Sequence, residues 1–358
     1  MLDVLALMAP FFGLVLLGWI TARRGLLPVD GIGGLMTFVL YFALTALLLR
    51  LSAQGRVQAG ASATLLLVYA LASVLVMALG LGWARRAGLS RRDGALAALV
   101  TAFPNTGFLG LPLLTSLLGA DAAGPVAATL LIDVLVSCSL AMAWAHSHPH
   151  PAAAGQPAER DDLPADDPGP LVALKRSLLG ALRNPLLQAM ALGLALASLG
   201  WTLPKPVDEV LRLLGQAATP AALVTLGAIV ARSQMGVRSG RQWASQAAQP
   251  SPRHGAASRG AAWVSSLWWL VALKLLAHPA LVWLTAQGAA WLGHPLPHLS
   301  VLALTLAAAL PSAANVSMLA EREGADTDLV ARVILWTTAA AVGSLLLWSS
   351  LLQVHAAL

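Results

Sequence analysis

Ten runs of mostly apolar residues, each near the roughly 20 that one bilayer crossing needs, follow one another with short polar breaks between them. They lie at about 3–21, 31–49, 62–83, 94–118, 124–145, 172–200, 208–231, 262–291, 299–320 and 328–353. With 58% hydrophobic and 11% charged residues in 358, this is not the composition of a soluble domain. It reads as an all-α polytopic membrane protein. The first run is a retained helix and not a cleaved leader, because Asp3 stands where a basic start would be and the run ends at Arg23 and Arg24. The lone Cys138 falls inside a run, so no intramolecular disulfide and no metal cluster is indicated.

The net charge of +6 does not point to nucleic acid, because the basic residues sit at the ends of the runs, where they set topology. With the N-terminus outside, 17 of the 22 Lys and Arg fall on the cytoplasmic side, among them Arg85, Arg86, Arg91, Arg92, Arg322 and Arg332. Only Arg50, Arg56, Lys205 and Arg212 fall outside, and Lys274 lies within a span. Both termini are therefore expected on the exterior, periplasmic face of a bacterial inner (plasma) membrane. The Arg50–Arg56 loop reads as merely solvated. Most of the 12 Trp, such as Trp83, Trp144, Trp201, Trp263, Trp291 and Trp348, lie near span ends and read as an interfacial belt.

Two polar stretches, 146–171 and 232–260, read as cytoplasmic loops. The first carries His146, His148 and His150 between prolines, which composition alone makes incidental and not a metal site. It divides the chain into a first unit at 1–145 and a second at 172–358, with five spans each. An odd number of spans makes similar halves enter the membrane from opposite sides, as inverted repeats. Traces of similarity occur in the same order in both: Gly18-Trp19 then Pro28-Val29-Asp30 against Gly200-Trp201 then Pro206-Val207-Asp208, and Gly119-Ala120-Asp121 against Gly324-Ala325-Asp326.

Spans four and nine carry prolines at matching places, Pro104 and Pro311. Each removes a donor and clashes four residues back, freeing the carbonyls of Val100 and Ala307. In hydrocarbon such groups cost several kcal/mol unless protein, water or a solute answers them. Asn105, Thr106 and Gly107 follow the first break, and Ser312 and Asn315 the second. A single proline is commonly a packing kink, but paired proline–polar segments read as crossover positions of a transporter. Half-helix N-termini meeting there favour an anion by about 0.3–1 kcal/mol each, and up to about 2 when partly buried.

Two ionisable residues lie inside spans, where insertion costs about 2.5–3.5 kcal/mol each. Asp133 sits in mid-span and is a candidate for a coupling proton or a cation ligand. Lys274 either shares that role or snorkels toward the cytoplasmic face.

These residues resemble the auxin efflux carrier family, which includes plant auxin exporters and bacterial malonate- and malate-type carriers. The match rests on FPNTGFLGLPLLTSLLGADA (103–122) and LPSAANVSMLAEREGAD (310–326), with weaker matches at Asn184-Pro185, at Pro220 with Leu226-Gly227, and at Leu273-Lys274 before Pro279. The resemblance implies ten helices in two inverted five-helix repeats, a scaffold bundle and a transport bundle, and substrate held where spans four and nine cross. The implied fold is similar to that of the sodium–bile acid symporter group. Pro104, Asn105, Pro311 and Asn315 carry over as crossover and site positions. One departure is Thr45, where many members have Pro in span two.

The expected function is secondary transport of small organic anions, mono- or dicarboxylates, with H+ or Na+ as the candidate coupling ion. A second reading is a sodium-coupled symporter of a bulkier anion. A third, from another class, is a membrane sensor or scaffold without transport. No HExxH, GxSxG or Gly-x-Gly-Asp motif supports an enzyme, and no cofactor is expected. The lipid bilayer is the other partner, and a homodimer is compatible with the reading.

Overall fold

The computed structural model describes residues 2–55, 62–146, 169–234 and 267–354. The expected loops at 146–171 and 232–260 fall mostly outside them, as do His148, His150 and Trp263. The described chain is helical throughout: α1 (Leu2–Arg23), α2 (Asp30–Ala53), α3 (Ala63–Arg86), α4 (Arg91–Ala102), α5 (Thr106–Leu118), α6 (Ala120–Ala145), α7 (Gly169–Leu182), α8 (Pro185–Ser198), α9 (Lys205–Gln234), α10 (Leu267–Trp291), α11 (His298–Ala308), α12 (Asn315–Arg322) and α13 (Thr327–Leu351). Six of these, α2, α3, α6, α9, α10 and α13, are long and apolar enough to cross a membrane. A seventh crossing forms if α7 and α8 count as one span bent by 62°.

That bend is one departure from the expected continuous run at 172–200. Pro185 cannot donate back into α7, and Asn184 starts a new helix by accepting the Leu186 N–H at 2.9 Å. Other helix starts are also capped by side chains, α3 by Ser62, α4 by Ser90 and α13 by Asp326. Four helical stretches widen into a single π turn, at Val39–Ala43, Thr106–Gly110, Asp133–Ser137 and Leu273–Ala277. In the first, Thr45 Oγ1 donates to the Leu40 carbonyl at 2.6 Å. The helix thus widens beside the position where the resembled family often has proline, and it continues without a break.

The helices sort into two groups. In one, α1 packs on α9, α8 on α2, and α9 also on α2. In the other, α3 packs on α4 and α10, α4 on α6, and α10 on α11. The largest apolar core, which includes Leu44, Leu48, Leu109, Leu114, Leu187 and Leu226, joins the groups. Across the α1–α9 contact the backbones touch: a Cβ at Gly18 would overlap the Val224 carbonyl, and one at Gly227 the Val15 carbonyl. Gly227→Ala is therefore expected to destabilise the protein by about 1–3 kcal/mol through overpacking, against a helix-propensity gain of at most about 1 kcal/mol. A lower thermal midpoint of the detergent-solubilised protein checks this; a raised midpoint would show that the helices separate freely.

Gly18 has another consequence. It is buried in mid-helix, whereas Gly200, with φ +66°, follows the end of α8. In the first half a positive φ just past a helix end is found at Gly25, with φ +73°, after α1. Likewise Pro28 and Pro204 open the next helix in each half, with the Gly31 and Asp208 N–H groups bonding their carbonyls. The pairing of Gly18-Trp19 with Gly200-Trp201 is thus out of register. Gly119 and Gly324, with φ +90° and +64°, each follow the short helix after a break. The expectation that Arg50 is only solvated is also corrected. It grips Asp208 at 2.7 and 3.3 Å, tying the end of α2 to the start of α9.

Candidate functional site

The breaks at Pro104 and Pro311 meet. Pro104 and Ser312 form an antiparallel bridge: the Asn105 N–H donates to the Pro311 carbonyl at 2.8 Å and the Ala313 N–H to the Phe103 carbonyl at 3.0 Å. Two interrupted helices thus satisfy part of each other's open backbone with a fragment of β-ladder, as dry surroundings require.

The remaining freed groups are answered individually. The carbonyl of Val100, freed by Pro104, accepts from Ser312 Oγ at 2.7 Å. Ser312 is held in turn by its own N–H, which donates to Thr337 Oγ1 of α13 at 3.1 Å. The Ala307 carbonyl, freed by Pro311, accepts from the Leu310 N–H at 3.2 Å. Beyond it, the Ala308 and Ala309 carbonyls accept from Lys274 Nζ at 2.8 Å and Ser344 Oγ at 3.2 Å. A third proline, Pro279, frees the Leu275 carbonyl, which takes Ser344 Oγ and Trp348 Nε1, both at 3.1 Å. Trp348 is therefore more than a member of the interfacial belt.

The two sides of the crossing differ. Asn105 is 2% exposed, Thr106 is 1% exposed, and neither Asn105 Nδ2 nor Thr106 Oγ1 has a partner among the described residues. Both stand at the start of α5, whose first turn is the π turn Thr106–Gly110. Unanswered buried polar atoms are rare and costly, and here two stand together at a helix N-terminus, where the dipole favours a hydrogen-bond acceptor. Thr106 and Gly107 border a narrow gap of about 10 Å³, walled by Leu44, Leu48, Leu130 and Leu186. Asn315, in contrast, is exposed, and the Val316 and Ser317 N–H groups beside it already bond the Ala313 and Ala314 carbonyls. The expectation of free N–H groups at both half-helices is corrected at these two positions, and on the other side at Thr106, whose N–H bonds the Pro104 carbonyl at 2.8 Å. A larger open groove of about 360 Å³ runs along the outer parts of α10, α11 and α13, past Trp283, Gln287 and Gln353. It lies away from the crossing.

The intramembrane charges sit beside the second break. Asp133 and Lys274 are 0% exposed. Lys274 does not snorkel; it points inward, with Nζ 3.2 Å from His278 Nδ1 and bonded to the end of α11. Tyr69 of α3 donates its hydroxyl toward Asp133, at 3.3 and 3.5 Å from the two carboxylate oxygens. Tyr69 and His278 are the members that sequence reasoning missed. The signals available were that the chain has only two Tyr and that His278 lies one turn from Lys274.

A chain with several bilayer-length helices and two interrupted ones locked together has the architecture of a membrane transport protein. Comparison with known proteins gives the same class. The family described as "Membrane transport protein" matches residues 3–349, and the chain belongs to it, the auxin efflux carrier family anticipated from its motifs. A protein of Rhizobium meliloti (strain 1021) named "Putative malonate transporter" is 28% identical over 348 residues, covering 96% of this chain and 94% of that relative. The chain is a transport protein, not an enzyme.

Proposed function

We propose that the protein is a secondary carrier of small organic anions, with malonate first among the mono- and dicarboxylates to test. The anion sits at the crossing of the broken helices, its carboxylate on Asn105 Nδ2, Thr106 Oγ1 and the first turn of α5. Ser312, Pro104 and Pro311 hold the crossing in shape, Gly107 leaves room beside it, and Asn315 closes the exposed side. The observation that carries this reading is the pair of buried, unpartnered polar atoms at a helix N-terminus. The name of the Rhizobium relative supports malonate.

In this reading α4 with α5, and α11 with α12, each count as one broken span, and α7 with α8 as one bent span. The ten spans then form two inverted five-span repeats, at 1–145 and 172–358, joined by the segment 146–171. Three features support the inversion: the two breaks pair with each other, Gly119 and Gly324 each follow the short helix after a break, and the packing of α1 on α9 is mirrored by that of α8 on α2. The group containing α1, α2, α8 and α9 is the scaffold, and the group containing the crossing moves against it by rocking or an elevator-like shift. The protein lies in the bacterial inner membrane with both termini outside.

Uptake of radiolabelled malonate, malate and a set of monocarboxylates into proteoliposomes, under proton and sodium gradients, tests the carrier. Saturable uptake of at least one acid is expected; uptake of none would overturn the reading. A reporter fused to Leu358 that is active only in the cytoplasm would overturn the topology.

A further inference from the structure

Behind the crossing lies a polar cluster for which anion binding alone has no use. Asp133 opens the π turn of α6, Lys274 lies in the π turn of α10, His278 follows one turn later, and Tyr69 reaches in from α3. All four are 0% exposed. Tyr69, which bonds Asp133, lies with its ring 5.8 Å from that of His278, which Lys274 touches, yet among the described residues no direct ion pair joins Lys274 and Asp133. Lys274 spends its donors on the Ala308 carbonyl and His278 Nδ1, and Asp133 accepts from Tyr69. With Nδ1 as acceptor, His278 carries its ring proton on Nε2, which is buried without a partner among the described residues. Two opposite charges are thus held apart in a dry interior, each only partly compensated.

Such an interior tolerates the cluster best at zero net charge. One proton shared between the Lys274 amine and the Asp133 carboxylate gives that state, whichever of the two holds it. A second proton makes the cluster positive, and an anion at the crossing supplies the missing negative charge. The link is short: Lys274 Nζ bonds the carbonyl of Ala308, the last residue of α11 before the break that forms the crossing. The C-terminal end of that helix also favours a cation.

We infer that Asp133 and Lys274, with Tyr69 and His278 around them, take up one proton when the crossing takes up an anion, so that the carrier moves anion and proton together in one direction. This rests on the anion site proposed above. The proton comes from bulk water and forms one O–H bond at Asp133, or one N–H bond at Lys274; no other bond breaks. The titratable groups facing this pair are Tyr69, His278 and Cys138, the last one turn along α6 from Asp133. In the other packed elements the ionisable residues are Arg91, Arg92 and Asp93 at the start of α4, Lys175 and Arg176 exposed in mid-α7, which packs on the Asp133 turn, His298 in α11, and Asp328 and Arg332 in α13.

The test is calorimetric titration of the purified full-length protein with malonate, in buffers of different ionisation enthalpy, at pH values where malonate is fully ionised. About one proton taken up per malonate is expected, with the malonate Kd rising about tenfold per pH unit by linkage. The double variant Asp133→Asn with Lys274→Met is expected to bind malonate with no proton uptake and a flat pH profile. Malonate bound by the wild type without proton uptake would overturn the inference and leave the crossing site standing, as would the same uptake in the double variant. Failure of malonate to bind at all would remove the malonate site and the coupling together.

Discussion

Asn105→Ala is expected to lower malonate affinity, and uptake at subsaturating malonate, about 10- to 150-fold while leaving protein yield and thermal stability close to wild type. The range follows from the loss of one hydrogen bond to a charged group, about 1.5–3 kcal/mol. The unchanged stability follows from geometry. Asn105 Nδ2 bonds nothing among the described residues, and the crossing is held by the Asn105 backbone N–H, which alanine keeps. A buried amide nitrogen without a partner among the described residues, on a side chain only 2% exposed, is what the proposed anion would use. Asn315→Ala should cost less, because Asn315 is exposed and the Val316 and Ser317 N–H groups are already bonded. Dose-dependent uptake into proteoliposomes, normalised to reconstituted protein, separates the two. Equal losses would mean that the site is as symmetric as the sequence made it look; undiminished uptake in Asn105→Ala would move the anion elsewhere.

That asymmetry marks where the sequence stopped being informative. Pro104 and Pro311 could be read as breaks because proline acts on its own backbone, and Val100 could be named as the freed carbonyl because the clash is always four residues back. The partner of that carbonyl was not legible. Ser312 lies far along the chain, and only the fold brings its hydroxyl to 2.7 Å. The same holds for Lys274: its charge inside a span was visible, but its direction depends on α11 offering the Ala308 carbonyl and not on its own helix. Tyr69 looked like any aromatic residue in a Leu-rich run, since a hydroxyl's partner across two helices leaves no local trace. The repeat signal failed where it leaned on Gly-Trp identity. A positive φ just past a helix end is shared by Gly25 and Gly200, and it is invisible when an adjacent Trp dominates the match.

Lys274→Met should be among the most destabilising single substitutions in the chain, at about 3–5 kcal/mol, because it leaves Asp133 as an uncompensated buried charge. It also strips the Ala308 carbonyl of its donor, a further penalty of about 1–3 kcal/mol when the group stays buried. Adding Asp133→Asn to Lys274→Met should recover most of the charge penalty but not the carbonyl's, since asparagine is neutral and still accepts from the Tyr69 hydroxyl. The two substitutions are therefore strongly non-additive, with an interaction of opposite sign to the single losses. Thermal unfolding of the four proteins in one detergent measures this directly: the expected order is wild type, then the double variant, then Lys274→Met. A double variant no more stable than Lys274→Met would mean that the carboxylate and the ammonium, though both buried beside the break, do not balance each other. The cluster would then be two separate local solutions, one capping α11 and one hydrogen-bonding Tyr69, with no shared charge to couple to a substrate.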